Sequence, residues 1–248
     1  MEKRLFIGTS GWIYKDWKGV FYPEDLKKGE ELNYYSKFFN TTEINSTFYR
    51  LPFENMVKGW YRKTPPQFSF AIKVSRKVTH IQRLKDCKEI LDDFFQRLSL
   101  LKEKASIFLY QLPPSLKLDL ELLKDFLEIL PPEHRHVIEF RNKSWFVDNT
   151  YSLLKEKNVG FCIVSAPKLD TILEATSDFV YIRMHGKEGW YRYFYSDEEL
   201  KWWSDVINRF LEEGKTVFCY FNNDYQGNAV KNATKLKELL KDVSRETS

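Results

Sequence analysis

The stretch SIFLYQLPPSLKLDLELLKDFLEILPPEHRHVIEF, residues 106–140, has the pattern of a strand, a helix and a second strand in succession. Its two ends, Ser106–Gln111 and Val137–Phe140, are short and largely apolar, which is typical of strands buried on both faces. Between them, Leu120–Leu130 carries apolar residues at three- and four-residue spacing, as one face of a helix does. This order predicts a βαβ unit with parallel strands.

The same pattern recurs along the whole chain, with strand starts separated by about 30 residues, the size of a βα unit. Eight such units predict an α/β fold, a single (β/α)8 TIM-type barrel in one domain over residues 1–248. The alternative is an open doubly wound sheet, whose dinucleotide-binding form is disfavoured because no GxGxxG follows the first strand. The other predicted strands are Leu5–Thr9, Thr42–Asn45, Phe68–Lys73, Gly160–Val164, Val180–Met184 and Thr216–Phe221, and the other predicted helices are Cys87–Leu101, Thr150–Lys157, Asp197–Glu213 and Ala229–Leu240.

Composition excludes several classes of protein. The 248 residues are 43% hydrophobic and 17% aromatic, which excludes a disordered chain. The three cysteines, Cys87, Cys162 and Cys219, have no CxxC spacing and indicate neither a disulfide framework nor a zinc knuckle. No secretory leader and no apolar run long enough for a membrane span is present, so we expect a cytoplasmic protein without membrane contact. Nothing in the sequence indicates the oligomeric state.

Polar or charged side chains occur at the carboxyl end of every predicted strand, where the catalytic groups of (β/α)8 enzymes lie. Three pairs of them are two positions apart, so each pair shares one face of its strand. A charged pair buried against the outer helices would cost several kcal/mol, so we expect these pairs to face the barrel mouth. They are Glu43 with Asn45, Glu139 with Arg141, and Arg183 with His185.

The charges at these strand ends balance, and their cations suit a carboxylate or phosphate, which arginine binds in bidentate geometry. We predict Glu43 or Glu139 as the general base, and His185 as the acid. The predicted substrate-binding residues, whose aromatic members suit stacking on sugars or bases, are Trp12, Asn45, Lys73, Gln111, Arg141, Trp145, Arg183, Tyr191, Tyr193, Asn222, Asn223 and Asp224.

Of the four histidines, only His185 lies at a predicted strand end. We expect His134 and His136, just before the fifth strand, to be surface residues, and His80 to be solvated in a basic loop. This set is too small for a multi-zinc centre, so we predict no cofactor. The metal site that the pattern still allows is a single divalent ion held by Glu43, Glu139, Asp224 and His185.

Seven blocks of the sequence, taken in order, resemble the domain-of-unknown-function family 72, the YecE-like proteins. The resemblance extends from end to end and implies a one-domain triosephosphate-isomerase-type barrel, for which no reaction is established. The blocks are GTSGWIYKDWKGVFYP (8–23), FNTTEINSTFYRLP (39–52), WYRKTPPQFSFAIKV (60–74), YQLPPS (110–115), IEFRNKSW (138–145), YIRMHGK (181–187) and YFNNDYQGNAVKNA (220–233).

Three functions remain open at this point. The first is a hydrolase or lyase that acts on a small phosphate-bearing substrate or on nucleic acid. The second is a glycosidase or sugar isomerase that uses two strand-end carboxylates. The third is a non-catalytic nucleic-acid or nucleotide-binding module that uses the formal net charge of +4 and the basic stretch Lys73–Lys88.

Overall fold

The computed structural model describes residues 5–246 and, of these, the side chains of residues 5–241. Its strands match the predicted ones to within two residues at each end, because their continuous apolar runs have sharp polar boundaries. The eight strands are β1 (Leu5–Thr9), β2 (Thr41–Ile44), β3 (Ser69–Lys73), β4 (Ala105–Gln111), β5 (His136–Glu139), β6 (Gly160–Ser165), β7 (Phe179–Met184) and β8 (Thr216–Phe221).

Helices follow most strands, and the longer ones bury one apolar stripe each. In α4 this stripe includes Leu91, Phe94 and Leu98. The helices are α1 (Glu31–Tyr35), α2 (Ser46–Tyr49), α3 (Glu54–Arg62), α4 (Lys88–Leu98), α5 (Leu120–Glu128), α6 (Asp148–Glu156), α7 (Asp197–Glu212) and α8 (Asn228–Glu246). None of these helices has the length and apolar character that crossing a bilayer requires.

The strands form one sheet in the order β1-β8-β7-β6-β5-β4-β3-β2. Neighbouring strands are parallel, for example β7 with β8 and β4 with β5. Sequential parallel strands joined through helices are the arrangement of the (β/α)8 barrel, which confirms the predicted fold class.

The chain folds into two compact units. The first unit comprises Met1–Thr42, Ile163–Ile172 and Asp178–Ser248, and the second comprises Glu43–Cys162 and Leu173–Ser177. Each has its own buried apolar core, which includes Trp17 and Tyr220 in the first unit and Phe70 and Phe108 in the second. The single domain over residues 1–248 stays a prediction.

The structure departs from the expected alternation between β6 and β7, where the described segment 166–178 contains no helix. Two threonine side chains of this segment instead form hydrogen bonds with backbone carbonyls in β6 and just before it. Thr171 Oγ1 donates to the Val164 carbonyl at 3.2 Å, and Thr176 Oγ1 donates to the Val159 carbonyl at 2.6 Å. The short helices α1 and α2 carry too few turns for the periodicity to predict them, and the sequence did not predict α3 either.

The expectation that His136 is a surface residue is wrong. His136 begins β5 and is only 4% exposed, since its ring packs among aromatic side chains of the second unit. Alternation along a strand that is covered on both faces leaves no exposed side for it.

Candidate functional site

Four polar side chains form a row across the carboxyl ends of three neighbouring strands of the second unit; this β3–β5 row is Lys73, Gln111, Glu139 and Arg141. Lys73 Nζ donates to Gln111 Oε1 at 2.6 Å. Gln111 and Glu139 are register partners of parallel strands, so their side chains project from the same face of the sheet. Arg141 Nε donates to Glu139 Oε1 while both side chains are nearly buried, so the two residues expected to share one face also pair with each other.

Cationic side chains surround His80 beside this row, at the end of β3. Lys73 Nζ lies 4.1 Å from the centroid of the Phe48 ring, and the His80 ring packs edge-on against the same phenyl group at 5.1 Å. Burial lowers the pKa of His80, and the charges of Lys73, Arg76 and Arg83 lower it further. The charges of several cationic side chains therefore act on the His80 ring. This ring is half-buried, whereas the sequence predicted a solvated one.

The remaining predicted residues of the second unit are buried or half-buried. Glu43 is completely buried in β2, and the Oδ1 atom of Asn45 is buried without a hydrogen-bond partner among the described residues. Trp145 is completely buried too, because its indole stacks on Phe140 at 4.8 Å and its Nε1–H donates to the Leu116 carbonyl at 2.8 Å. These bonds make Trp145 a support of the loop after β5.

In the first unit, the ends of β7 and β8 bring together Arg183, His185 and Asn222, which we call the β7–β8 cluster. Arg183 and His185 are each only 1% exposed. Asn222 Nδ2 lies 3.0 Å from His185 Nδ1, a bond that orients the imidazole. Trp190 packs against the same ring at 5.3 Å. The cluster thus holds a histidine in one orientation, as acid–base chemistry requires.

An asparagine network fixes the loop after β7. Asn223 Nδ2 donates to the Tyr193 carbonyl at 2.8 Å and to Asn232 Oδ1 at 2.9 Å. Asn232 also exchanges two hydrogen bonds with the backbone of Tyr195, at 3.2 and 3.0 Å. The Tyr193 hydroxyl donates to the Glu199 carboxylate. Burial is the main cause that raises the pKa of Tyr193 to about 12, and the Glu199 carboxylate is the second.

Three more predicted residues lie in loops of the first unit. Trp12 is 8% exposed, and its carbonyl accepts from the Tyr22 hydroxyl at 2.5 Å. Tyr191 is half exposed at a φ of 65°. Burial raises the pKa of Asp224, whose carbonyl accepts from Trp17 Nε1 at 3.0 Å.

Each unit therefore assembles its own set of the predicted residues. The sequence interpretation missed Asn232, which carries no signal because an asparagine inside a helix looks solvent-exposed. It also missed Cys162, whose Sγ lies 3.9 Å from Glu139 Oε2. The predicted set divides into Trp12, Arg183, His185, Tyr191, Tyr193, Asn222, Asn223 and Asp224 in the first unit, and Glu43, Asn45, Lys73, Gln111, Glu139, Arg141 and Trp145 in the second.

Among the described side chains, those of residues 5–241, no three His, Cys, Asp or Glu groups approach one another closely enough to hold a metal ion. The single divalent ion that the sequence pattern allows stays a prediction.

Comparison with known proteins places these observations in a family. The family profile described as "Protein of unknown function DUF72" matches residues 6–247. The UPF0759 protein YunF of Bacillus subtilis is 29% identical over 95% of this chain and 94% of its own length. The UPF0759 protein YecE of Escherichia coli is 28% identical over 57% of this chain and 50% of its own.

Solved structures show the same relationship. A DUF72 family protein from Thermotoga maritima superposes with a TM-score of 0.87 at 35% identity and covers 96% of this chain and 99% of its own. A xylose isomerase-like TIM barrel protein from Mycobacterium smegmatis, solved with magnesium, shares the fold alone, with a TM-score of 0.52 at 13% identity over 88% of this chain and 90% of its own. The family match over almost the whole chain shows that this protein belongs to the DUF72 family.

Proposed function

We propose that this protein is a (β/α)8-barrel enzyme that binds a phosphate-bearing substrate at the carboxyl end of β3. The observation that carries the proposal is that Lys73 and His80 both contact the Phe48 ring at the end of β3. The charges of Lys73, Arg76 and Arg83 reach this place, because they add to burial in lowering the pKa of His80. A phosphate group is the ligand that such a group favours, because it carries up to two negative charges and several acceptor oxygens.

The polar row beside this group supplies candidate chemistry. Glu139 is a candidate general base, with Arg141 bound to its carboxylate and Gln111 beside it in register. Glu43 and His185 remain the other candidate catalytic residues, and Asn222 orients the imidazole of His185. The remaining predicted substrate-binding residues keep that role as part of this proposal, except Trp145, whose ring is completely buried against Phe140.

Binding of inorganic phosphate and of a nucleoside monophosphate, measured by isothermal titration calorimetry, tests the proposal. Replacement of one cation that binds the ligand removes a charge-assisted hydrogen bond of about 1.5–3 kcal/mol, so Lys73→Gln should weaken binding by at least about tenfold. Arg76 is exposed, so Arg76→Gln should weaken binding without disturbing the fold. Lys124→Gln, on the exposed side of α5, is the matched control.

Two results would overturn this proposal: no phosphate compound binds the wild-type protein, or Lys73→Gln and Arg76→Gln bind as tightly as Lys124→Gln. Catalysis is tested separately with phosphate-ester hydrolysis. Loss of a general base should reduce turnover by about 10²–10⁴-fold in Glu139→Gln or Glu43→Gln while phosphate binding persists.

A non-catalytic nucleic-acid-binding module is the second candidate, favoured by exposed aromatic rings near the same basic loop. Tyr49 is 73% exposed, and the Arg50 guanidinium lies 5.3 Å from the centroid of the exposed Phe53 ring. Aromatic rings with arginines suit single-stranded nucleic acid. Tighter binding of an oligonucleotide than of a mononucleotide, with a steep salt dependence, would favour this candidate. Tyr49→Ala should then weaken oligonucleotide binding and leave the salt dependence unchanged.

A further inference from the structure

A cavity of about 340 Å³ lies in the first unit, between the end of β6, the loop after β7 and the first two turns of α7. None of the predicted site residues lines it. Its volume falls within the range of about 300–1,000 Å³ that is usual for small-molecule sites. Its lining residues are Ser165, Thr171, Lys187, Tyr195, Glu199, Trp202 and Trp203.

The floor of this α7 cavity is built from hydrogen-bonded groups. The Tyr195 hydroxyl accepts from the Gly186 N–H at 2.9 Å and donates to Ser165 Oγ at 2.8 Å. Ser165 Oγ keeps its own hydroxyl proton to donate, since it acts as the acceptor in this bond. Tyr195 and Ser165 are 1% and 6% exposed, so their positions are fixed before a ligand arrives.

The charges that face the α7 cavity cancel. Lys187 Nζ and Glu199 Oε1 lie 3.7 Å apart, which is beyond direct hydrogen-bonding distance. Glu199 is held in place because its carboxylate accepts from the Tyr193 hydroxyl and from the Ser196 N–H. A hydroxyl group between them would accept from the ammonium and donate to the carboxylate, so it satisfies both at once.

The remaining wall is aromatic. Trp202 is 48% exposed, whereas Trp203 is 4% exposed and packs edge-on against it at 5.0 Å. Trp203 therefore holds the indole of Trp202 at the cavity while one part of that ring stays accessible. An accessible indole suits a ligand with a flat apolar face and polar edges.

We propose that the α7 cavity binds a neutral saccharide ring. The ring stacks one face on Trp202, one hydroxyl bridges Lys187 and Glu199, and a second accepts the Ser165 proton. The lining carries no net charge, because Lys187 and Glu199 cancel, and this disfavours an anion. Its hydrogen-bonding groups disfavour a purely apolar ligand. This site is independent of the phosphate-binding group of the second unit.

Saturation-transfer NMR and calorimetry with D-glucose, D-xylose and their methyl glycosides test this site. Sorbitol is the control ligand, because it offers hydroxyls without a ring face. We expect at least one cyclic sugar to bind at millimolar concentration, and sorbitol not to bind. Trp202→Ala should weaken binding by about tenfold, as loss of a stacking partner does.

Two further variants separate local effects from unfolding. Phe38→Ala removes an exposed aromatic ring of the same unit outside the cavity and should leave sugar binding unchanged. Glu199→Gln keeps the capping residue of α7 but removes the charge, so it should weaken sugar binding several-fold with unchanged circular dichroism. Phosphate binding should persist in both Trp202→Ala and Glu199→Gln.

Absence of binding by every cyclic sugar would overturn the proposal. Equal affinities of the wild type and Trp202→Ala would also overturn it, as would sorbitol binding as tightly as glucose. Preferential binding of a zwitterionic amino acid such as L-tyrosine would assign the Lys187–Glu199 pair to another ligand class and contradict the saccharide.

Discussion

His136 is held on both sides of its ring in the interior of the second unit. Nε2 lies 2.8 Å from the Pro131 carbonyl, which can only accept, so Nε2 carries the proton. Nδ1 then accepts from the Tyr110 hydroxyl at 3.0 Å. Burial is the main cause that lowers the pKa of His136 from 6.5 to about 4. The imidazole is therefore neutral in the folded protein at neutral pH.

This pKa makes stability depend on pH. The imidazole of His136 takes up a proton near pH 6.5 in the unfolded chain but only near pH 4 in the folded protein. The neutral His136 therefore makes its full contribution to the free energy of unfolding above pH 6.5, and this contribution is lost as the pH falls toward 4. The shift corresponds to about 3 kcal/mol. Urea unfolding of His136→Gln should show a clearly smaller loss of free energy between pH 7 and pH 4.5 than that of the wild type.

His134→Gln is the matched control, because it removes a histidine of the same segment and leaves both bonds of His136 intact. Its loss of stability should be only slightly smaller than that of the wild type, because burial remains the main cause of the His136 shift and the charge of His134 adds little to it. Equal pH dependence of His136→Gln and wild type would contradict the assignment.

At the scale of elements, the start of α7 shows how local sequence sets a boundary. Ser196 Oγ accepts from the Glu199 N–H, and the Glu199 carboxylate accepts from the Ser196 N–H, which is a reciprocal capping box. The sequence predicted a helix that begins at Asp197, and the structure confirms this start. The same cap also places Glu199 at the α7 cavity.

Ser196→Ala should destabilise the protein by about 1 kcal/mol, because the first turn of α7 loses its side-chain acceptor. Thermal and urea unfolding measure the change. Ser196→Asp restores an acceptor at the N-cap and should recover most of the stability. Equal stabilities of Ser196→Ala and wild type would show that water replaces the cap at no cost.

At the scale of the whole molecule, a close approach between the backbones of two strands requires a residue without a side chain. A Cβ atom at Gly8 of β1 would lie 2.2 Å from the Thr41 carbonyl oxygen of β2, within the first unit. The Thr42 hydroxyl of β2 donates to the Thr9 carbonyl of β1 at 3.0 Å, so this bond would have to break before the two backbones could move apart. By contrast, Gly59 lies in α3 with no atom within 4 Å of its added Cβ.

Gly8→Ala should therefore cost several kcal/mol and reduce the yield of folded protein, as overpacking against an immobile neighbour does. Gly59→Ala should raise stability by about 0.5–1 kcal/mol, because alanine favours a helix interior over glycine. Urea unfolding of the pair compares the same substitution in two environments. A tolerated Gly8→Ala would mean that β1 and β2 separate more easily than the backbone indicates.

The sequence by itself determined the fold, because apolar runs with polar boundaries report strand burial and need no knowledge of neighbours. It also predicted that Glu139 and Arg141 lie on one face of their strand, since side chains two residues apart point the same way. Only the tertiary structure decided which charges act on His80, why Trp145 is a support of its loop, and that Trp202 borders a cavity. These properties depend on atoms contributed by other segments, and neither residue type nor local periodicity records such long-range contacts.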